Sequence, residues 1–170
     1  MANYDKDMAL VLTEVPTRSL LEQMAEEAAE VGQAAMFDMH HGTILGLCTD
    51  NWEDALAEEI NDLCMCAEVL QLPLEKVLRR EAGRPASEAI PRLRRRIGFA
   101  ACSVSKTALK LIRARGNGNP TPQGEDELWS QLATWTDTLL WLARRLGVDI
   151  IPADRNPKWE RWAERIRRGV

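Results

Sequence analysis

Long apolar runs and paired cysteine motifs are both absent from the 170-residue sequence. No apolar segment approaches the ~18 residues that a membrane span needs, and residues 1–15 lack the basic start and apolar block of a secretion signal. The cysteines stand outside any CxxC pair, which disfavours zinc binding and a disulfide framework; they are Cys48, Cys64, Cys66 and Cys102. We therefore expect a cytoplasmic protein without membrane contact, whose thiols are free and buried.

Only 10 glycines and 8 prolines are present, and they collect between long periodic segments. Hydrophobic residues make up 45% and charged residues 28%, as in a globular helical protein long enough for a real core. We predict a single all-α domain over 1–170. Its predicted helices cover about residues 19–39, 50–72, 74–81, 91–115, 125–147 and 157–168. Ser19 and Glu22 are interpreted as a capping box at the first helix.

Two groups of acidic residues occupy positions where a helix should bury apolar side chains. Glu27 interrupts the apolar stripe of the first helix, and Glu59 interrupts that of the second. The two stripes are Leu20, Met24, Val31 and Ala34, and Leu56, Leu63, Cys66 and Leu70. Glu30 and Asp62 follow three residues later, about 60° around the same face. Each helix is therefore predicted to direct two carboxylates inward.

Buried carboxylates without partners are costly, and several close together repel each other. Oxygen ligands favour a hard cation such as Mg²⁺ or Mn²⁺, so a divalent metal site is one interpretation. The alternative is that both groups are solvated helix faces, supported by pairs four residues apart. Glu26 and Glu58 lie farther from the stripe centres and are interpreted as helpers or surface charges.

The string Glu26-Glu27-Ala28-Ala29-Glu30, followed after 28 residues by Glu59-Ile60-Asn61-Asp62, fits the EExxE...ExxD signature of the all-α nucleoside triphosphate pyrophosphohydrolases. Over about residues 17–83 the chain resembles their MazG-like branch, whose relatives include the all-α dUTPases and phosphoribosyl-ATP pyrophosphohydrolase. The resemblance implies a four-helix-bundle-type fold and metal-dependent hydrolysis at the α-phosphorus of a nucleoside triphosphate, giving a nucleoside monophosphate and pyrophosphate. It implies about two or three Mg²⁺ or Mn²⁺ ions. The implied metal ligands are Glu27, Glu30, Glu59 and Asp62, with Glu26 orienting a ligand or the attacking water.

Four further residues are candidates for substrate binding. Asn61, beside Asp62, is interpreted as reading a sugar or base. Lys76, Arg79 and Arg80 follow the second carboxylate helix, where the family often has basic residues, and they are interpreted as binding the leaving pyrophosphate. The alternative for these three is ordinary surface charge near a helix end.

The net charge of −4 argues against general nucleic-acid affinity, and no stable nucleic-acid complex is expected. The charge is uneven, since no acidic residue occurs between Glu88 and Glu125. The basic residues of this stretch are Arg92, Arg94, Arg95, Arg96, Lys106, Lys110, Arg113 and Arg115. A basic stripe beside an acidic pocket suits a polyanion bound through metal. The alternative is a solvated helix face that touches nucleic acid.

The apolar pattern of the two carboxylate helices repeats 72 to 73 residues later, where Leu20, Met24 and Val31 fall on Leu93, Ile97 and Val104. The acids do not repeat: Glu27, Glu30, Glu59 and Asp62 correspond to Ala100, Ser103, Gln131 and Thr134. We therefore predict a catalytic half at 17–85, a degenerate half at 91–150 that forms the wall or lid, and a C-terminal docking helix at 151–170. Related chains pair further, so a homodimer or larger homo-oligomer is expected.

The family resemblance implies control of a nucleotide pool and a deoxynucleoside triphosphate as the substrate. The compact two-half chain also resembles phage-type enzymes, some of which act on dGTP or dUTP. One alternative is a non-catalytic nucleotide-sensing or structural helical protein. A carboxylate-bridged di-iron protein is disfavoured because the two Glu-x-x-His motifs that it needs are absent. Trp129, Trp135 and Trp141 are interpreted as core residues, with base stacking as the alternative.

Overall fold

Six α-helices and no strand make up the part of the chain that the structure describes, which is therefore all-α. A computed structural model of the protein describes residues 4–41, 52–74, 90–116, 123–151 and 156–169. In chain order the helices are α1 Tyr4–Glu14, α2 Thr17–His41, α3 Trp52–Val69, α4 Ile90–Gly116, α5 Glu125–Leu146 and α6 Lys158–Arg168. None of the helices in these ranges combines the length and the apolar character that a membrane span requires.

One continuous apolar core joins α2, α3, α4 and α5. α2 packs against both α3 and α4, and α5 packs mainly against α4. α2 and α4 run antiparallel, since Arg94 contacts Ala35 whereas Gly116 lies near Arg18. Fully buried side chains from all four helices fill this core, among them Met24, Leu56, Leu63, Ile97, Leu111, Leu132 and Leu139. Each contributes about 1.5–3 kcal/mol by its removal from water, so this core is what places α2 beside α3.

A second, smaller core holds the two terminal helices against the bundle. Its buried members come from α1, α2, α3 and α6, and they are Val11, Leu20, Met65, Val69 and Trp159. Arg167 of α6 also forms an ion pair with the buried Asp7 of α1. The predicted C-terminal helix is thus present and anchored on α1 and α3.

The observed helix boundaries lie within about two residues of the predicted ones at most ends. The predicted capping box is wrong, because α2 already begins at Thr17 and the Leu20 N–H donates to the Pro16 carbonyl at 3.1 Å. Glu22 instead accepts a hydrogen bond from Arg18 Nε at 2.9 Å. Helix α1 was not predicted, although Met8, Val11 and Val15 follow helical spacing. The helix predicted over 74–81 falls almost entirely outside the described residues.

Helix α3 ends in a left-handed turn three residues before its predicted end. Gln71 has a φ of 53°, its N–H donates to the Glu68 carbonyl at 2.9 Å, and the Leu72 N–H reaches the Ala67 carbonyl at 3.0 Å. Glycine usually occupies such a left-handed position at a helix end. Because glutamine stands there, the sequence carries no signal for this early stop.

Replacing Gln71 by glycine should raise the free energy of unfolding by about 0.5–1 kcal/mol, since glycine enters the left-handed region without the steric cost of a Cβ. Urea denaturation of wild type and variant measures this difference. Gln71→Ala, which keeps the Cβ, serves as the matched control and should bring no gain. Equal stability of the two variants would contradict the prediction.

Candidate metal centre

The packing of α2 against α3 brings three carboxylates together. One oxygen from each of Glu27, Glu30 and Glu59 lies within 4.8 Å of the other two. Oxygens bound to one octahedral ion at about 2.0–2.1 Å lie roughly 3–4 Å from one another. Small side-chain rotations would therefore let these three residues hold one Mg²⁺ or Mn²⁺. Three of the four predicted metal ligands thus converge, on two helices adjacent in the chain.

Glu27 is the buried member of the group, with only 2% of its surface exposed, as the interrupted apolar stripe predicts. Its Oε1 accepts hydrogen bonds from Gln23 Nε2 at 2.6 Å and from Lys158 Nζ. Its Oε2 is buried and has no hydrogen-bond partner among the residues described. Burial raises the pKa of Glu27, and the Asp62 charge adds to this, while Lys158 and Gln23 act in the opposite direction. The orphaned Oε2 is the oxygen that fits a cation.

Asp62, the fourth predicted ligand, is held by Lys158. The Lys158 Nζ lies 2.7 Å from Asp62 Oδ2 and also forms an ion pair with Glu27, and only 12% of the lysine side chain is exposed. Burial lowers the pKa of Lys158, but the hydrogen bonds and charges of Asp62 and Glu27 outweigh it and raise the pKa above its ordinary value. The site therefore contains a lysine ammonium as well as carboxylates.

The charges that act most strongly on Glu59 are those of other carboxylates. Its pKa is raised to about 7, first by burial, then by the charges of Glu30 and Glu27, with a hydrogen bond to Glu30 and the Asp62 charge contributing further. Near neutral pH, Glu59 is therefore more readily protonated than an ordinary glutamate. A divalent ion bound here would take the place of that proton.

No family model, curated protein or solved structure matches this chain. The chemistry open to the site therefore follows from its own residues.

The signature residue Asn61 is engaged in hydrogen bonds to the backbone. Its Nδ2 donates to the carbonyls of Ala57 at 2.8 Å and Asp149 at 3.3 Å, and its Oδ1 accepts the Ile151 N–H at 2.7 Å. Asn156 Nδ2 donates to the Asn61 carbonyl at 3.2 Å. Asn61 thus ties the segment that leads to α6 onto α3, while its predicted contact with a sugar or base stays a prediction.

The other predicted site residues lie apart from this cluster or outside the described residues. Glu26 is exposed on α2, so its assistance to a ligand or water also stays a prediction. Lys76, Arg79 and Arg80 lie outside the described residues. Glu58, which was interpreted as a helper or surface charge, is exposed on α3.

The basic residues of α4 do not surround the acidic cluster as one stripe. Arg94 is buried, and its Nε donates to the Ala35 carbonyl at 3.0 Å. Arg115 pairs with Glu125 at 3.1 Å. Three further cations of α4 line a cavity together with residues of α2. They are Lys106, Lys110 and Arg113, and the α2 residues are Ala29, Gln33 and Met36. By helical geometry this face of α2 lies roughly 180° from Glu27. These three cations therefore lie on a different side of α2 from Glu27.

The thiols in the described part of the chain are free, as predicted. Cys64 and Cys66 are buried, whereas Cys102 is exposed, contrary to expectation. Burial, more than the nearby Glu27 charge, raises the pKa of Cys66, so this thiol stays protonated beside the carboxylates and is a poor metal ligand. Cys48 lies outside the described residues.

Sequence reasoning missed Lys158, although the chain contains a signal for it. Lys158 is the first residue of α6, a position where the helix dipole favours an acidic side chain and disfavours a cation. It also directly precedes the buried Trp159. A cation at an unfavourable helix end, next to a docking residue, indicates a buried anionic partner elsewhere in the fold.

In metal-free protein, Glu59→Gln should stabilise the fold in a pH-dependent way. The carboxyl is protonated in both folded and unfolded chains below about pH 4.5, so the variant gains nothing there. As the pH rises to about 7, the unfolded chain releases this proton while the folded protein retains it, and wild type loses stability. The excess Tm of Glu59→Gln, measured with a chelator present, should therefore grow from about pH 4.5 to 7 and then level off. A constant difference across this range would contradict the prediction.

Asn61→Ala should lower the free energy of unfolding by about 1–3 kcal/mol, because it leaves the Ile151 N–H and the Asp149 carbonyl without their side-chain partner. Urea denaturation measures the loss. Glu58→Gln, an exposed substitution on the same helix, is the control and should stay within about 0.5 kcal/mol of wild type. Unchanged stability of Asn61→Ala would refute the structural role.

Proposed function

We propose that this protein is a metal-dependent hydrolase that converts a nucleoside triphosphate, preferably a deoxynucleoside triphosphate, to a nucleoside monophosphate and pyrophosphate. The convergence of Glu27, Glu30 and Glu59 within 4.8 Å is the observation that carries the proposal. They are three of the five acidic residues on which the EExxE...ExxD resemblance depends, and they come from two helices. If these residues belonged to solvated helix faces, carboxylates of two helices would have no reason to meet. Glu27 would also have no reason to be only 2% exposed.

The residues present fit a hard divalent ion, Mg²⁺ or Mn²⁺, since every converging ligand atom is a carboxylate oxygen. Glu27 through its orphaned Oε2, Glu30 and Glu59 would hold it. When bound, such an ion polarises a phosphate oxygen and lowers the pKa of a bound water. Glu59 suits a site where a metal ion replaces a proton, because its pKa of about 7 lets it give up its proton near neutral pH.

Charge explains why the substrate would arrive together with metal. A nucleoside triphosphate carries roughly four negative charges, and the carboxylates of this site repel it unless cations intervene. In the proposed reaction a water oxygen bonds to the α-phosphorus, and the bond from that phosphorus to the bridging oxygen breaks. Pyrophosphate leaves with that oxygen, and the water protons pass to solvent or to a carboxylate.

We further propose that α2 with α3 and α4 with α5 are a catalytic and a degenerate half of a MazG-like bundle. The two helix pairs share one apolar core, which supports this arrangement. Ala100 and Ser103 on α4, with Gln131 and Thr134 on α5, stand where the first half has its acids. Since Ala100 is 1% exposed, the second half fills with an apolar side chain the position that Glu27 occupies in the first.

The test is a panel of all common nucleoside and deoxynucleoside triphosphates, each incubated with Mg²⁺ or Mn²⁺ and resolved by anion-exchange chromatography. We expect equal amounts of monophosphate and pyrophosphate, with preference for a deoxynucleotide such as dGTP or dUTP. Release of orthophosphate would move the attack to another phosphorus and overturn the proposal. Nucleotide binding without any product would favour the sensing alternative.

Glu59→Gln should reduce turnover by about 100-fold or more, because loss of residues that merely support metal ligands already costs about 10–100-fold. Glu58→Gln makes the same change in charge one residue away, at an exposed side chain, and should retain wild-type turnover. Steady-state rates of both variants, at saturating metal, provide the comparison. Equal losses in the two variants, or none in either, would argue against a site built on Glu59.

A further inference from the structure

The acidic site contains a cation that the chain itself supplies. Lys158 Nζ contacts Asp62 Oδ2 at 2.7 Å and Glu27 Oε1 as well, so one ammonium bridges α2 and α3. A divalent ion shared between two carboxylates would occupy a similar bridging position. The lysine therefore neutralises one part of the site without any metal.

Lys158 is fixed in this place by its surroundings. The next residue, Trp159, is 2% exposed within the second core. Two residues before Lys158, the Asn156 side chain accepts a hydrogen bond from the backbone N–H of Lys158 at 2.9 Å and donates one to the Asn61 carbonyl at 3.2 Å. Withdrawal of the lysine from the carboxylates would leave Glu27 buried without its charged partner, which is costly. Contacts on both sides of Lys158 thus hold its ammonium between Glu27 and Asp62.

The carboxylate oxygens divide into two sets. Glu27 Oε1 and Asp62 Oδ2 are held by Lys158, whereas Glu27 Oε2 is buried and has no hydrogen-bond partner among the described residues. One oxygen each of Glu30 and Glu59 lies within 4.8 Å of an oxygen of Glu27. A second divalent ion between Glu27 and Asp62 would lie against the ammonium and be repelled by it.

We propose that Lys158 takes the place of one divalent ion, so that the site binds a single Mg²⁺ or Mn²⁺ through Glu27, Glu30 and Glu59 while Asp62 serves as the anchor of Lys158. This inference deepens the proposed function and rests on the same metal site. It departs from the two or three ions that the family resemblance implies. Lys158 is in this sense a positioning residue, since it acts on the metal through Glu27 and Asp62.

The experiment counts Mn²⁺ bound to the full-length protein without nucleotide, from the loss of the electron paramagnetic resonance signal of free Mn²⁺. Wild type should bind one ion per chain, and so should Lys158→Arg, which keeps the charge. Lys158→Met, which removes the charge at similar length, should bind two, because Asp62 and Glu27 Oε1 become available. Glu58→Gln corrects for ions held by exposed acids on the surface.

If Lys158→Met fails to fold, variants of two carboxylates, Asp62 and Glu30, still test the inference. Asp62→Asn should still bind one Mn²⁺ with little change in affinity, whereas Glu30→Gln should weaken binding by about 10-fold or more. Loss of the ion in Asp62→Asn would overturn the inference. So would two ions, or none, in wild type, or a single ion in folded Lys158→Met.

Product analysis on the same wild-type sample separates this inference from the proposed function. One bound Mn²⁺ without formation of monophosphate and pyrophosphate would remove the proposed function and leave the role of Lys158 intact. Pyrophosphate release by a wild-type protein that binds two ions would support the proposed function and overturn the role of Lys158.

Discussion

Burial of the Glu27 carboxylate is the constraint on which the structure around the site depends. An isolated carboxylate in such a place costs several kcal/mol, so partners have to reach it. Gln23 comes from the preceding turn of the same helix, but the charged partner Lys158 comes from α6. The terminal helices are therefore part of the site, since the Trp159 core and the ion pair of Arg167 with Asp7 keep α6 where its lysine meets Glu27.

The same cluster has an inner and an outer side with different electrostatics. On the inner side, Glu27 and Asp62 share one ammonium, which offsets one of their two negative charges. On the outer side, Glu30 and Glu59 have no such ion pair with a cation of the described residues, and the pKa of Glu59 rises to about 7, first through burial and then through the Glu30 and Glu27 charges. Among the described residues, the carboxylates that lack an ammonium partner thus lie on the more exposed side of the cluster. Lys106 and Arg113 line a cavity on the side of α2 roughly opposite Glu27.

Periodicity was sufficient to predict the long helices and their apolar faces, and it placed Glu27 correctly in the interior. It also selected Glu30 and Glu59, because side chains on facing stripes of packed helices meet. It failed where local sequence carries weak or misleading signals. Gln71 ends α3 without a glycine, and Ser19 resembles a cap but lies inside α2. Asn61 stood beside a predicted ligand, yet its amide is engaged by the backbone of residues 149 and 151.

The sequence by itself determined the helical class, the burial of Glu27 and the need for a compensating cation, because these follow from spacing within one helix and from the cost of buried charge. Only the tertiary structure decided which cation meets which carboxylate. Lys158 lies 131 residues from Glu27 and 96 from Asp62 along the chain, and no local pattern links them. Their pairing depends on how α6 docks against α1 and α3, which is a property of packing between distant segments.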